Sequence, residues 1–340
     1  MAEPKNILVY KEEGRYAGWP ANHGAWAWGN ELVVGFAVGD YLFKPEGPSV
    51  DSTKPYEICQ ARSMDGGETW TIEQPRAIHG YVGIGSTLSR LQEPLGFGQP
   101  GFALMFKFAN QHTGPSRFYV SNDCCRTWCG PYKFLVEGFD HIVARTDYVI
   151  RGPRECIMFG SMAKSNRLEG RAFCARTTDG GLTWSLLSTI GPEPEGYLIM
   201  PSTISLGGDR LLTVLRHKDP NTEGSIDVYD SDDAGATWRF LGEAAPNIGA
   251  GNPPSLLALR DGRLCLTYGY RARPYGIRAR ISSDQGASWS EEIILRDDAL
   301  AEDLGYVRSF HRCDGSIVTV YYFNGPQHHD RTIQATIWTY

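Results

Sequence analysis

Three arginines stand at the ends of short apolar runs: Arg145 closes HIVAR, Arg216 closes LLTVLR, and Arg271 follows LTYGY. A guanidinium is a planar fork of N–H donors that matches a carboxylate with two parallel hydrogen bonds, so arginines gathered in one place would hold an acidic group. Residues able to move protons or to hydrogen-bond a ligand fall at equivalent run ends, among them Asn22, His23, Asp40, Asp147, His217, Tyr306 and Tyr322. Arg15, Asp51 and Glu195 lie in the segments beside them. If the fold brings these groups together, they offer acid–base chemistry on an acidic sugar. The plainer alternative is that the arginines rim an acidic protein and pair with local carboxylates. Which reading applies depends on the elements that position them.

Those elements repeat. Five octapeptides, SMDGGETW (63–70), SNDCCRTW (121–128), TTDGGLTW (177–184), SDDAGATW (231–238) and SSDQGASW (282–289), share the pattern S/T-x-D-x-x-x-T/S-W. Their aspartates, Asp65, Asp123, Asp179, Asp233 and Asp284, are spaced by 58, 56, 54 and 51 residues. A recurrence at near-constant period marks a repeat architecture. Each octapeptide reads as a hairpin turn. Its Asp and its Ser or Thr bond to backbone groups inside the turn, and Gly at the fifth position supplies positive φ. The Trp that ends it packs between neighbouring sheets. These five aspartates are therefore expected to be scaffold. The second copy has Cys125 where the first has Gly67, so its turn must be strained or take another shape.

Each period carries four short strands with turn signals between them. In the fourth these are YLIMPSTISL, RLLTVLR, SIDVYDS and, after the octapeptide, WRFLG. Blades of four strands and about 50 residues describe a β-propeller. A chain of 340 residues at this period holds about six blades. The sixth supplies three strands and has no octapeptide, and the early strand NILVY (6–10) is free to complete it. The expected architecture is all-β, a six-bladed propeller of four-stranded antiparallel blades in one domain spanning residues 1–340. In such a ring the starts of the first strands and the ends of the second strands face one central mouth, which is where the groups above fall.

Composition narrows the function classes. With 33 basic and 39 acidic residues the formal charge is -6, and no basic stripe suggests a nucleic-acid partner. No run approaches the roughly 18 apolar residues of a membrane helix, so no membrane insertion is expected. The start, MAEPKNILVYKEEGRY, shows no signal-peptide pattern, which implies a cytoplasmic location unless a leader has been removed. The eight cysteines form no CxxC pair, and reduced, buried thiols are expected for most. His328 and His329 are adjacent near the C-terminus and read as solvated, so no metal site is expected. There is no P-loop, GxGxxG, GxSxG or HExxH, and no cofactor is expected.

Asp-box octapeptides at this spacing resemble the sialidase (neuraminidase) superfamily over nearly the whole chain. The resemblance implies an exo-acting glycoside hydrolase that releases a terminal acidic sugar from a glycan. Such enzymes hold the substrate carboxylate with three arginines, use a Tyr–Glu pair as nucleophile and base, and use an Asp as acid/base. By resemblance, Arg216 matches the second arginine and Arg271, in YGYRARPYG, the third, with Arg273 and Arg278 close by. Tyr306, in DLGYVRS, matches the nucleophile, and Glu195, in EPEGYLIMPS, is the candidate partner. The acid/base falls to Asp40 or to Asp51, and Arg145 is a further substrate-binding candidate. The family's first Arg-Ile-Pro is replaced by GWPAN (18–22), with Gly18 at the arginine position and Arg15 three residues earlier as the substitute.

His23 supports a second enzyme class. A mouth histidine facing a tyrosine and arginines resembles propeller polysaccharide lyases, which abstract a proton beside a uronate carboxylate. A third class is a propeller that binds glycans without turning them over. Trp19, Trp26 and Trp28 are either a sugar-stacking platform or core.

Overall fold

The computed structural model describes residues 3–44, 47–78, 88–110, 112, 115–139 and 141–340. Runs such as ELVVGFAV (31–38) and IVTVYYFN (317–324) are apolar at nearly every position rather than at alternate ones, and both are buried almost throughout. A ribbon apolar on both faces needs a covering sheet on each side. A ring of radially packed sheets provides this.

The fold is a six-bladed β-propeller of antiparallel sheets. In the first blade the inner strand is split into Arg15–Gly18 and Ala25–Trp28. Both pair with Glu31–Asp40, which is followed by Glu57–Ser63 and Thr71–Glu73. Among the described residues the second blade has the strands Ala103–Phe108, Ser116–Ser121 and Cys129–Phe134. The third runs from Ile142–Val143 and Tyr148–Gly152 through Glu155–Ala163 and Glu169–Thr177 to Ser185–Ile190. The fourth is Tyr197–Gly207, Arg210–Lys218, Ser225–Ser231 and Arg239–Ala245. The fifth is Ser255–Ala258, Leu264–Tyr270, Gly276–Ser282 and Ile293–Arg296. The sixth is Gly305–His311, Ile317–Gly325 and His328–Trp338, and Lys5–Tyr10 adds its outer strand, pairing Lys5 with Ile337 and Tyr10 with Ile333. The ring is thereby closed by main-chain hydrogen bonds, and no open edge remains at the junction of the termini.

The octapeptides join the third strand to the outer strand in the first five blades. The sixth has none because its outer strand comes from the other end of the chain. In the first turn Asp65 Oδ1 accepts from Ser63 Oγ at 2.8 Å and from Thr69 N at 2.9 Å, and Oδ2 accepts from Thr69 Oγ1 at 2.6 Å. The same bonds recur at Asp123, Asp179, Asp233 and Asp284. All five carboxylates are occupied by their own turns. Cys125 adopts φ 62° where Gly67 has 97°, so the second turn keeps the common shape with a side chain in the left-handed region. Its N–H still reaches Ser121 Oγ at 2.9 Å.

The core lies between blades. Leu32, Val34 and Phe36 of the first pack on Val318, Val320 and Tyr322 of the sixth, and Val214 and Ile226 of the fourth pack on Leu266 and Tyr268 of the fifth. The octapeptide tryptophans stitch such seams: Trp128 donates to Gln60 Oε1 at 3.2 Å in the preceding blade, and Trp238 to Ser188 Oγ at 3.1 Å. Trp26 is likewise core, with its ring 5.4 Å from that of Trp128. All eight cysteines are free. One element lies outside the strand pattern. Pro20–His23 forms a helical turn, with Pro at its first position and Trp19 left-handed before it, and this turn interrupts the first inner strand at the mouth.

Candidate active site

Three inner strands break regularity where they reach the mouth. Trp19, Met200 and Tyr306 adopt φ of 60°, 57° and 52°, unusual values for residues with side chains. Beside the last two the pairing register slips, between Ile199 and Ser202 and between Gly305 and Arg308. Bulges of this kind re-aim a side chain out of the ladder, and strain of this kind collects at functional sites.

Tyr306 is the residue most clearly aimed by such a break. Its N–H donates to Asn252 Oδ1 at 2.8 Å, and the buried Asn252 in turn donates to Leu304 O at 2.8 Å. Gly305 precedes it at φ 99°, and a Cβ there would run into the Asn252 carboxamide. The guanidinium of Arg271 lies 5.7 Å above the Tyr306 ring, and the Tyr322 ring lies 5.8 Å away. The opposite side of Tyr306 rests on Ala21, Ile199 and Met200. Its hydroxyl has no hydrogen-bond partner among the described residues.

Tyr306 opens on a cavity of about 490 Å³. The helical turn contributes Asn22 and His23 to its wall, the second blade Lys107 and Phe108, and the third blade Arg145. Among the described residues no carboxylate lines it. Arg145 and Glu169 form a buried, two-pronged ion pair, Arg145 Nε donates to Asn22 Oδ1 at 3.0 Å, and the guanidinium covers the Phe108 ring at 4.7 Å. Burial opposes the charge on Arg145, but Glu169 beside it raises its pKa above the ordinary value. His23 is 7% exposed, and its Nδ1 has no partner. Burial, then the neighbouring Lys107, pulls its pKa well below the usual histidine value, so the imidazole is neutral.

The other mouth arginines are held by carbonyls and rings. Arg271 donates to Leu304 O at 2.9 and 3.2 Å and to Tyr322 Oη at 2.9 Å. Burial works against its charge, but Tyr322, Tyr306 and Asp303 around it raise its pKa. Arg216 donates to Ala250 O at 2.8 Å and stacks 5.0 Å over Tyr197, leaving Nε buried and unpartnered.

The remaining candidates sit apart from the cavity wall. Arg15 pairs with Asp40 and lies 3.3 Å from Glu57, and Lys54 reaches Asp40 at 2.7 Å. Gly18, at the position of the family's first arginine, lies against Tyr16, whose ring would stand 2.6 Å from a Cβ there. That ring fills the space a side chain at position 18 would need. Asp51 accepts from Thr53 N at 3.0 Å and Thr53 Oγ1 at 2.6 Å, and its neighbours Val50 and Ser52 line the cavity. Glu195 is exposed, and its contact is a backbone one, its carbonyl accepting from Lys164 Nζ at 2.6 Å. Tyr306, His23 and Arg145 thus share the cavity, with Arg271 over Tyr306. Arg15, Asp40 and Glu195 are not in its wall.

Sequence reasoning missed Lys107 and Asp303. Lys107 had a readable signal, a lone charge inside the apolar strand ALMFKF. Among the described residues, no group of three or more His, Cys, Asp or Glu is placed to hold a metal ion, and no helix is long and apolar enough to cross a membrane.

Comparison with known proteins agrees with this fold. The sequence profile of the BNR repeat-like domain matches residues 102–320. A sialidase of Micromonospora viridifaciens is 28% identical over 276 residues, which are 77% of this chain and 35% of that protein. This chain therefore corresponds to about a third of that relative's length. NanB sialidase of Streptococcus pneumoniae superposes with a TM-score of 0.63 at 12% identity, over 97% of this chain and 70% of that one. An α-L-arabinofuranosidase of Fusarium graminearum superposes with a TM-score of 0.61 at 14% identity, over 98% and 97% of the two chains. At such identities the superpositions establish the fold alone.

Proposed function

This chain belongs to the family of BNR repeat-like domains, and on that premise we propose that it is an exo-acting glycoside hydrolase that cleaves a terminal acidic sugar from a glycan at the cavity beside Tyr306. The observation that carries this reading is Tyr306 itself: a tyrosine in a strained conformation, under a guanidinium, with its hydroxyl unpartnered at the mouth of the cavity. Its oxygen attacks the anomeric carbon as the bond to the leaving oxygen breaks, and water then releases the sugar from the tyrosine. Arg271 stabilises negative charge developing on the phenol. Arg145 lines the seat, and Arg216 stacks on Tyr197, which packs on the same cluster of Ala21, Ile199 and Met200 as Tyr306. With Glu195 outside the wall, His23 is the neutral base lining the same cavity and is assigned the phenol proton. The leaving oxygen takes its proton from Asp51, whose neighbours line the cavity, rather than from Asp40, which pairs with Arg15 and sits 2.7 Å from Lys54 against 3.9 Å for Asp51. Thr53 donates to Asp51 and lowers its pKa, so the protonated form needed for departure is populated at acid pH.

The test is incubation with labelled sialosides, uronides and arabinosides, with products read by mass spectrometry. Tyr306→Phe should abolish release while leaving binding intact. Unchanged release by that variant would remove Tyr306 from the mechanism.

The neutral His23 also favours a second reading, a uronate lyase. In this case His23 removes the proton beside the carboxylate and Tyr306 protonates the leaving oxygen. A product with a new double bond, absorbing in the near ultraviolet, would identify it.

A further inference from the structure

Among the described residues, Lys107 is a cation position with no anion. It lies on the strand Ala103–Phe108, is 3% exposed, and its Nζ makes no hydrogen bond. Its cross-strand neighbour is Arg117, itself buried with Nε unpartnered. Two cationic side chains opposite one another on one face of a sheet repel, and burial sharpens that repulsion. Arginine keeps its proton under all ordinary conditions, so the lysine must yield. A lysine that only filled space would be replaced by leucine or methionine at no cost. Here the residue instead contributes to the wall of the cavity that Tyr306 opens on, with its amine buried and unpartnered.

Among the described residues, no uncommitted carboxylate faces Lys107. The helical turn presents His23, the neighbouring strand Arg117, and the third blade Arg145, already neutralised by Glu169. The loop after the first blade's second strand presents Lys44, and the strand Glu57–Ser63 presents the un-ionised thiol of Cys59. The Nζ lies 5.8 Å from the Tyr119 ring centroid. Arg145, Arg216 and Arg271 already donate to protein acceptors, whereas the Lys107 amine is uncommitted.

We propose that Lys107, with His23 beside it, forms a subsite that receives the carboxylate of the sugar and takes up a proton as that carboxylate arrives. This rests on the glycan-hydrolase reading but moves recognition of the acid group from the arginines to the second blade. In the free protein, burial and then Arg117 hold the Lys107 pKa well below its ordinary value, which favours the neutral amine. A bound carboxylate supplies the missing counter-ion and restores the ammonium. No bond between heavy atoms changes: a buffer acid gives up one proton, which forms an N–H bond at Nζ. Affinity therefore rises as pH falls, up to about tenfold per pH unit between the free and bound pKa values.

The experiment is titration calorimetry with the inactive Tyr306→Phe chain, near pH 8, in two buffers of different ionisation enthalpy. The probes are glucuronate, N-acetylneuraminate and an uncharged methyl glucoside. Uptake of about one proton per carboxylate sugar, none with the methyl glucoside, and loss of both the uptake and the pH slope in Lys107→Met are expected. Binding of both acidic sugars without proton uptake, or uptake that persists in Lys107→Met, would overturn the proposal. If Lys107→Met does not fold, the two-buffer comparison on the unsubstituted position 107 still decides. A parallel turnover assay of the wild-type chain separates the two readings. Release of neutral sugars only, dependent on Tyr306, sinks the carboxylate subsite and keeps the hydrolase. Proton-coupled binding without turnover of any glycoside keeps the subsite and sinks the hydrolase.

Discussion

The hydroxyl of Tyr322 joins a cation to an anion: it accepts from Arg271 Nη2 at 2.9 Å and donates to Asp303 Oδ1 at 2.7 Å. Asp303 Oδ2 in turn accepts from Arg331 Nε at 2.9 Å and from Ser49 N at 3.0 Å. The chain Arg271–Tyr322–Asp303–Arg331 runs beneath the mouth, and every member except Arg271 is buried. It holds the guanidinium that lies over Tyr306. Rings and carbonyls, rather than a direct carboxylate, thus carry the charge balance under the site.

Tyr322→Phe should therefore affect stability and catalysis by separable amounts. Removing one hydroxyl leaves Asp303 and Arg271 each short of a partner, at a cost of about 1–3 kcal/mol in denaturant unfolding. Arg271 keeps its bonds to Leu304 O but loses its lateral fix, so kcat/KM on whatever glycoside is turned over should fall further than Tm alone explains. A variant with lowered stability and unaltered kcat/KM would show that Tyr322 supports the blade and not the site.

Glu169→Gln tests the ion pair in the cavity wall. The substitution leaves the Arg145 charge buried with only Asn22 and a ring for company, and this should cost about 3–5 kcal/mol. The double variant Arg145→Met, Glu169→Met removes both charges and should recover most of that loss. Equal stability of Glu169→Gln and wild type in urea would mean that water reaches Arg145 freely.

Asp147 gives a pH-dependent prediction. Burial pushes its pKa up to about 7, against the opposing pull of Arg308 and the Thr203 hydrogen bond, and its Oδ2 has no partner. The folded pKa lies above the unfolded one, so the folded state holds the extra proton. The stabilisation is fully present below about pH 4 and is lost as pH rises through about 7. Asp147→Asn, which never ionises, should match wild type near pH 4 and exceed it at pH 8, by at most about 4 kcal/mol. Urea midpoints at the two pH values decide, and a constant difference would refute the assignment.

How far the site was legible follows from what each residue does. The five Asp boxes announced the blades because their function is local: Asp65 bonds only to residues 63, 68 and 69, so the pattern lies within eight consecutive letters. The closure by residues 6–10 was legible because the sixth blade was one strand short. Tyr306 and Arg271 could be placed at the mouth by strand counting alone. Lys107 could be seen as a charge inside ALMFKF, but its place in the cavity wall, with no carboxylate among the described lining residues, shows only in three dimensions. Glu195 illustrates the converse: the family resemblance offered it as the partner of Tyr306, but no pattern in the sequence states which way a loop side chain turns. The helical turn holding His23 was hidden because four residues are too few to show a helical period.

Asn252 sets the conformation of Tyr306, and the last prediction isolates that role. Its carboxamide spans Leu304 O and the Tyr306 N–H, so the strained backbone at Tyr306 depends on one buried side chain 54 residues away in sequence. Asn252→Ala removes both bonds and leaves a small gap, with an expected stability loss of about 1–3 kcal/mol. A nucleophile displaced by about 1 Å loses about a hundredfold in kcat. Binding of substrate depends on the rest of the wall and should change far less, so the loss should appear in kcat with KM nearly constant. Gly305→Ala should reproduce the effect from the other side, because its Cβ would displace the same carboxamide. A positioning role predicts that the two single variants and their double variant share nearly the same kcat, since each abolishes the same restraint. Additive losses would instead mean that Asn252 and Gly305 act on separate features of the mouth.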